Sequence, residues 1–296
     1  MNIKNKAILA PLSEYTTAPF RKLCKKYGAD LVVVPLVSAT AIARNPRYAE
    51  KIDYSPEFDD GIQLFGARPA DFKIALDVLL QKFPSLKWVD LNCGCPSYRV
   101  CEPGAGSALL KSPDTVADII MQMRAGIKVL SIKMRLAGAH EETIAFARAI
   151  AEEGIDFITV HGRTPKQGYS GKADWEEIRC VKDAVDVPLV GNGDLTCRKD
   201  GEEKIKDGYC DAFMIGRAAM GNPKCFSNLM AREKGDCLDT IREYIEVCNQ
   251  LGTCNVNDIR QKALQIIRGF GGAADIREKI SHCKSIEQIN DILKLE

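Results

Sequence analysis

Short apolar runs alternate with segments of helical periodicity along the first three-quarters of the chain. The runs are Ala7-Ile8-Leu9-Ala10, Asp30-Leu31-Val32-Val33-Val34-Pro35-Leu36, Gly61-Ile62-Gln63-Leu64-Phe65, Trp88-Val89-Asp90-Leu91, Val129-Leu130-Ser131-Ile132-Lys133-Met134, Phe157-Ile158-Thr159-Val160-His161, Val187-Pro188-Leu189-Val190 and Ala212-Phe213-Met214-Ile215. Each has the length and bounded apolar character of a buried strand. Helices are predicted between them: about 19–27, stopped by Gly28; about 69–82, opened by Pro69; one started by Ser112-Pro113; and one after the fifth strand that ends at Gly154. A serine N-cap followed by proline at the first helical position is a strong start signal. Eight buried strands, nearly all separated by helices, predict an α/β fold of the (β/α)₈ barrel type. A doubly wound open sheet would usually show Gly-x-Gly-x-x-Gly after an early strand, and none is present.

From about Glu233 the pattern changes. Leu238, Ile241, Ile245, Cys248 and Leu251 keep helical spacing, a second helix is predicted over about 258–268, and Phe270-Gly271-Gly272 breaks it. Shorter helical pieces carry Ile276, Ile280, Ile286, Ile289 and Leu293. The expected organisation is a barrel over 1–232 and a small helical domain over 233–296.

Composition narrows the class. A chain of 296 residues with 46% hydrophobic and 27% charged residues has the makeup of a globular protein with a full core. No apolar run approaches the ~18 residues of a membrane span. The N-terminus leads straight into a strand, so no signal peptide and a cytoplasmic location are expected. Twelve cysteines beside so large a core read as reduced thiols rather than a disulfide framework. Cys93, Cys95 and Cys101 lack paired Cys-x-x-Cys spacing, so no metal is expected. A net charge of +1 neither demands nor excludes nucleic acid, because a polyanion needs only a local basic face.

The chemistry lies at the strand ends, where a barrel builds its site. Asn92-Cys93-Gly94-Cys95-Pro96-Ser97 follows the fourth run and puts Cys95, a thiol able to donate a proton or attack, on a tight turn. The third strand contains Gln63. The fifth delivers Lys133 and Arg135, two residues apart and so on one face. The sixth delivers His161, the seventh Asn192-Gly193-Asp194, and the eighth Gly216-Arg217. A lysine inside a barrel is costly unless it meets an anion or an electron-rich acceptor. A structural ion pair is the other reading of Lys133, and a hydrogen-bonded core imidazole that of His161. Glycine-rich turns after strands seven and eight are where barrels often hold a phosphate, with Arg217 adding charge-assisted bonds. Such a site beside an interior lysine points to a phosphorylated organic cofactor, with flavin mononucleotide (FMN) the natural candidate.

These motifs together resemble the tRNA-dihydrouridine synthase family over essentially the whole chain. The pieces are Ala10-Pro11-Leu12 through Phe20-Arg21, Gln63-Leu64-Phe65-Gly66, Leu91 to Ser97 with Gly104-Ala105-Gly106-Ser107-Ala108-Leu109-Leu110, Ile132-Lys133-Met134-Arg135, Val160-His161-Gly162-Arg163-Thr164, Ala173-Asp174-Trp175, Gly191-Asn192-Gly193-Asp194 and Ile215-Gly216-Arg217. The resemblance implies an FMN-bound TIM barrel followed by helices that help hold tRNA. It assigns Pro11, Gln63, Lys133, His161, Asn192, Gly193, Asp194, Gly216 and Arg217 to FMN. Asn92, Cys95 and Arg135 would face the uracil of a flipped-out uridine, with Cys95 as the proton donor. NADPH, or NADH, is the implied reductant, and a monomer is expected. Leu12 stands where the family usually has Met and Arg99 where it commonly has Lys, and the C-terminal stretch is shorter and less basic than usual. Two other readings remain at this level: a flavin barrel of the dihydroorotate dehydrogenase-like class, which lacks the Asn92–Ser97 stretch joined to the Gly-Ala-Gly turn, and a non-catalytic flavin- and RNA-binding barrel.

Overall fold

The computed structural model describes residues 1–227, 234–268 and 272–295. Eight strands, β1 (Ala7–Leu9), β2 (Val33–Ser38), β3 (Gly61–Phe65), β4 (Trp88–Cys93), β5 (Val129–Arg135), β6 (Phe157–His161), β7 (Leu189–Asn192) and β8 (Ala212–Ile215), pair in parallel in the order β1-β8-β7-β6-β5-β4-β3-β2. A bridge between Ile8 and Leu31 closes the ring, with the Leu9 N–H donating to the Leu31 carbonyl at 3.0 Å. The barrel expected from the apolar runs is present.

Helices follow the strands: α1 (Ala18–Lys26), α2 (Ala39–Arg44), α3 (Pro69–Lys82), α4 (Tyr98–Cys101), α5 (Pro113–Arg124), α6 (His140–Glu152), α7 (Trp175–Ala184), α8 (Arg198–Lys206) and α9 (Arg217–Gly221). The strands bury both faces, as parallel strands under helices must. Ile8, Val33, Trp88, Val129, Phe157, Val190 and Met214 fill the barrel interior, while a larger core lies between strands and helices.

Three boundaries differ from the apolar runs in ways that matter for the site. β2 starts at Val33, and its pairing to β3 shifts between Val34 and Val37, where Pro35 has no N–H to give and Leu36 takes φ +44°. β4 and β5 run on to Cys93 and Arg135. Asn92, Lys133 and Arg135 therefore stand on rigid strand backbone. The short α2, the 3₁₀ turn Pro46–Lys51 and α4 left no readable period, because one turn of helix is too short to show one.

The loop from β1 to α1 is held by Arg21. Its guanidinium, fully buried, donates to both oxygens of Asp59 at 2.6 and 2.8 Å and to the carbonyls of Thr16 and Asp53 at 2.7 and 2.6 Å.

Beyond the barrel come α10 (Lys234–Gln250), α11 (Val256–Ile266), α12 (Ala273–Ser281) and α13 (Ile286–Leu295). Tyr244 of α10 bonds Asp258 of α11 and lies 3.1 Å from Thr17 Oγ1 of the barrel. Lys262 of α11, fully buried, pairs with Asp258 at 2.9 Å and sits 4.1 Å from the centre of the Tyr15 ring. The C-terminal helices thereby pack on the loop that leads out of β1. Gly272 takes φ +83° just before α12; Glu233, Phe270 and Gly271, at the expected domain boundary and helix break, lie outside the described residues.

Candidate active site

A cavity of about 890 Å³ opens at the C-terminal ends of the strands, within the roughly 300–1,000 Å³ usual for ligand pockets. Pro11, Asn92, Cys95, Lys133, Arg135, His161, Asn192, Gly193, Asp194, Gly216 and Arg217 all line it. Residues scattered over more than two hundred positions meet there because each ends or follows a parallel strand. Gln63 is the exception among the expected site residues: it lies one layer down, fully buried, and does not reach the cavity surface.

Cys95 is held by its backbone. Asn92 Oδ1 accepts from the N–H groups of Gly94 (3.1 Å) and Cys95 (2.9 Å). The Cys95 carbonyl accepts from Ser107 N–H at 3.0 Å and from the Cys101 thiol at 3.1 Å. That grip explains the Gly-Ala-Gly turn. Gly106 has φ +61°, and a Cβ on it would lie 2.7 Å from the Cys95 carbonyl oxygen, so only glycine fits. Burial pushes the Cys95 thiol above its ordinary range, opposed by the Ser97 N–H and by Arg135 and Lys133. The sulfur is therefore a protonated thiol at neutral pH, which suits a proton donor better than a nucleophile.

Lys133 and Arg135 point to the same side of β5, as their spacing predicts. Lys133 Nζ makes no hydrogen bond or ion pair within the described residues, which removes the structural-ion-pair reading. Burial, with Arg135 nearby, lowers it to about 8. Arg135 donates to the carbonyls of Gly94 (2.9 Å), Thr164 (3.2 Å) and Gly168 (2.8 Å), and so braces the Cys95 turn against the loop after β6. His161 is driven down to about 2 by burial and by Lys133, Arg135, Arg163 and Arg217. It is a neutral imidazole that can accept or donate without adding charge.

The loops after β7 and β8 lie side by side. Asn192 Nδ2 donates to the Met214 carbonyl at 2.8 Å and ties the two strands. Gly193 has φ +134°, and a Cβ there would meet Ala173 Cβ at 2.5 Å and the His161 ring at 3.3 Å. Asp194, at φ +54°, accepts both Arg163 bonds (2.6 and 2.7 Å) and one from Arg217 (3.0 Å). Arg217, expected to face a ligand anion, thus shares a carboxylate with Arg163, while Lys133 has no carboxylate within hydrogen-bond reach among the described residues. The uncompensated charge favours an anionic or electron-rich occupant.

Some of the site was not visible in the sequence. Arg163, 2% exposed, anchors Asp194 from beneath. Tyr169, half-exposed, has the Arg217 and Arg135 guanidiniums 4.7 and 5.6 Å from its ring centre. Gln261 of α11 and Glu14 of the β1–α1 loop also line the cavity. Only the Tyr-in-basic-loop pattern Lys166…Tyr169…Lys172 offered a signal; the rest depends on how distant elements pack. The metal-type ligands that gather among the described residues, His140, Glu177 and Cys180, stand on α6 and α7 and none lines the cavity. No helix among the described residues is long and apolar enough to cross a membrane.

Comparison with known proteins agrees with this fold. The chain is 12% identical to a solved histamine dehydrogenase from Rhizobium sp. 4-9, covering 83% of this chain and 49% of that one with a TM-score of 0.57, a likeness of fold. It is 34% identical over 284 residues to a Coprinopsis cinerea protein named tRNA-dihydrouridine(47) synthase [NAD(P)(+)], covering 87% of this chain and 42% of that one. It is 30% identical over 301 residues to a probable tRNA-dihydrouridine synthase of Aquifex aeolicus, spanning 97% of this chain and 94% of that protein. A family model described as dihydrouridine synthase (Dus) matches residues 8–292, and the chain belongs to that family.

Proposed function

We propose that this protein reduces uridine to 5,6-dihydrouridine in tRNA, using FMN held in the barrel mouth and NADPH or NADH as the source of electrons. The supporting observation is the cavity that gathers a protonated thiol, a lysine with no hydrogen-bond or ion-pair partner among the described residues, a neutral histidine and two adjoining glycine turns. The residues fit a flavin. Gly193 is a place where any side chain would collide, the backbone around it and Gly216 can approach a phosphate closely, and Lys133 Nζ lacks, among the described residues, a partner that the electron-rich edge of the ring would provide.

Held by these residues, FMN in its reduced form would supply the hydride that C6 of a uracil takes up. The chain does the rest. Cys95 Sγ–H gives its proton to C5 from the other face, so that one hydride and one proton saturate the C5–C6 bond, and the thiolate is reprotonated from solvent. Lys133, charged below about pH 8, offsets negative charge at the cofactor. Asn92 and Arg135 stand beside Cys95 and hold the uracil; Pro11, Gln63, His161, Asn192, Gly193, Asp194, Gly216 and Arg217 shape or line the cofactor side. The uridine must leave its stack to enter, at a cost of a few kcal/mol. We assign residues 1–232 to the chemistry and the helices of 233–296 to holding the RNA, with the protein acting as a monomer.

The test is direct. Purified yellow protein with NADPH and unmodified tRNA transcript forms dihydrouridine, read by mass spectrometry, and tRNA from cells lacking the gene loses it at one or more positions. Flavin reoxidised by orotate but not by tRNA would replace this reading with the dihydroorotate dehydrogenase-like one.

A further inference from the structure

Beneath the cavity, and reaching it at Asn92, runs a chain of buried polar groups whose inner members, Trp88, Ser131 and Asp90, have no part in the proposed chemistry. Trp88 Nε1–H donates to Ser131 Oγ at 2.8 Å, and Ser131 Oγ–H donates to Asp90 Oδ1 at 2.5 Å. Gln63 Nε2–H donates to Asp90 Oδ2 at 2.7 Å, and Asn92 Nδ2–H donates to Gln63 Oε1 at 2.8 Å. Asn92 Oδ1 then accepts the Gly94 and Cys95 N–H groups. All these side chains are buried, with Gln63, Asp90 and Ser131 side by side on β3, β4 and β5.

The direction of every bond follows from the two ends. An indole N–H can only donate, and so can a backbone N–H. A chain whose ends both donate inward must contain a group that accepts from both sides, and an ionised carboxylate at Asp90 does so while leaving the Ser131 O–H a buried acceptor. We infer that Asp90 is a positioning residue for Cys95: its carboxylate sets the polarity of the Gln63 and Asn92 amides, and this makes Asn92 present oxygen, not nitrogen, to the Cys95 turn. A neutral acid at this point would carry an O–H facing two groups that already donate. Facing Gln63, that O–H would force the amides to turn and aim Asn92 N–H at N–H; facing Ser131, it would add a second donor to that hydroxyl and leave the Ser131 O–H without its acceptor.

Two further observations agree. A buried carboxylate with no cation in hydrogen-bond contact among the described residues is expensive, so its presence on β4 calls for a role. The charged and titratable groups around Asp90 are Lys133 on β5 and the Cys93 thiol on its own strand. Burial lifts Asp90 to about 6, against the pull of Gln63, Ser131 and Lys133, so protonation falls within a pH range that can be assayed.

The inference rests on the proposed function for its activity readout and on Cys95 chemistry for a second, independent one. Asp90→Asn keeps shape but introduces a donor, and leaving one buried group unsatisfied costs about 1–3 kcal/mol, or roughly five- to 140-fold in kcat for dihydrouridine formation. The iodoacetamide labelling rate at Cys95, mapped by mass spectrometry in the flavin-loaded protein against the exposed Cys180, changes at least threefold as the turn loosens. Adding Trp88→Phe removes the donor-only end, lets Ser131 accept from the introduced amide, and restores both readouts towards those of Trp88→Phe alone. In Trp88→Phe itself a protonated Asp90 can donate to Ser131, so the acid limb of kcat near pH 6 flattens. An Asp90→Asn protein with unchanged Cys95 labelling, or a double variant as impaired as Asp90→Asn, overturns the inference. Wild-type protein that forms no dihydrouridine overturns the proposed function and leaves the labelling result to decide this one.

Discussion

Lys133→Met offers the sharpest test of the site's electrostatics, because it predicts a gain in stability where function is lost. Methionine matches the stem of lysine and removes only the charge and its hydration. Lys133 is driven from 10.5 to about 8 by burial and by Arg135. At about 1.4 kcal/mol per tenfold in acidity, the folded state holds this ammonium at a cost of about 3 kcal/mol. The sign follows from proton counts. Between pH 8 and 10.5 the unfolded chain binds more protons at this position than the folded one, so wild-type stability from this group rises with pH across that window. Lys133→Met, lacking the cost, is more stable by up to about 3 kcal/mol at pH 7, and the gap closes as pH climbs from 8 towards 10.5. The assay is urea unfolding of flavin-free wild type and variant at pH 7, 9 and 10.5, followed by tryptophan fluorescence. In parallel, flavin binding or its reduction by NADPH weakens in the variant, a trade common at functional sites. A variant no more stable than wild type at pH 7, or a gap that ignores pH, refutes the claim that Lys133 is a buried cation held at a cost.

Cys95→Ala keeps the yellow cofactor but lowers dihydrouridine formation by roughly 10²–10⁴-fold, the usual worth of a positioned acid; full turnover, measured by flavin reoxidation on mixing with tRNA, removes the thiol from the mechanism. Gly193→Ala places a Cβ 2.5 Å from Ala173 Cβ at φ +134° and costs roughly 1–3 kcal/mol of stability, read as a lowered Tm together with weaker flavin retention. Arg21→Met strands the buried Asp59 carboxylate and destabilises by about 3–5 kcal/mol, whereas adding Asp59→Leu recovers much of that loss; a double variant as unstable as the single one contradicts the ion-pair account.

The apolar runs determined the barrel, because a parallel strand covered on both faces must be apolar along its length and so announces itself. The third, sixth and eighth strands fall where the pattern puts them, and the glycine turns after β7 and β8 together with the Asn92–Ser97 stretch marked the mouth residue by residue. Local chemistry was enough for that, since a residue's place at a strand end depends on its neighbours in the chain. What the tertiary structure decided was partnership. The sequence could not show that Gln63 would lie under the cavity and hold Asn92, that Asp194 would be shared by Arg163 and Arg217, that Lys133 would have no hydrogen-bond partner among the described residues, or that a line of amides would join Asp90 to the Cys95 turn. Those side-chain pairings join residues 27 to 43 positions apart within the relay and 31 and 23 apart around Asp194. Closing the barrel sets those distances and excludes water from the bonds, and neither effect is encoded in any short stretch of sequence.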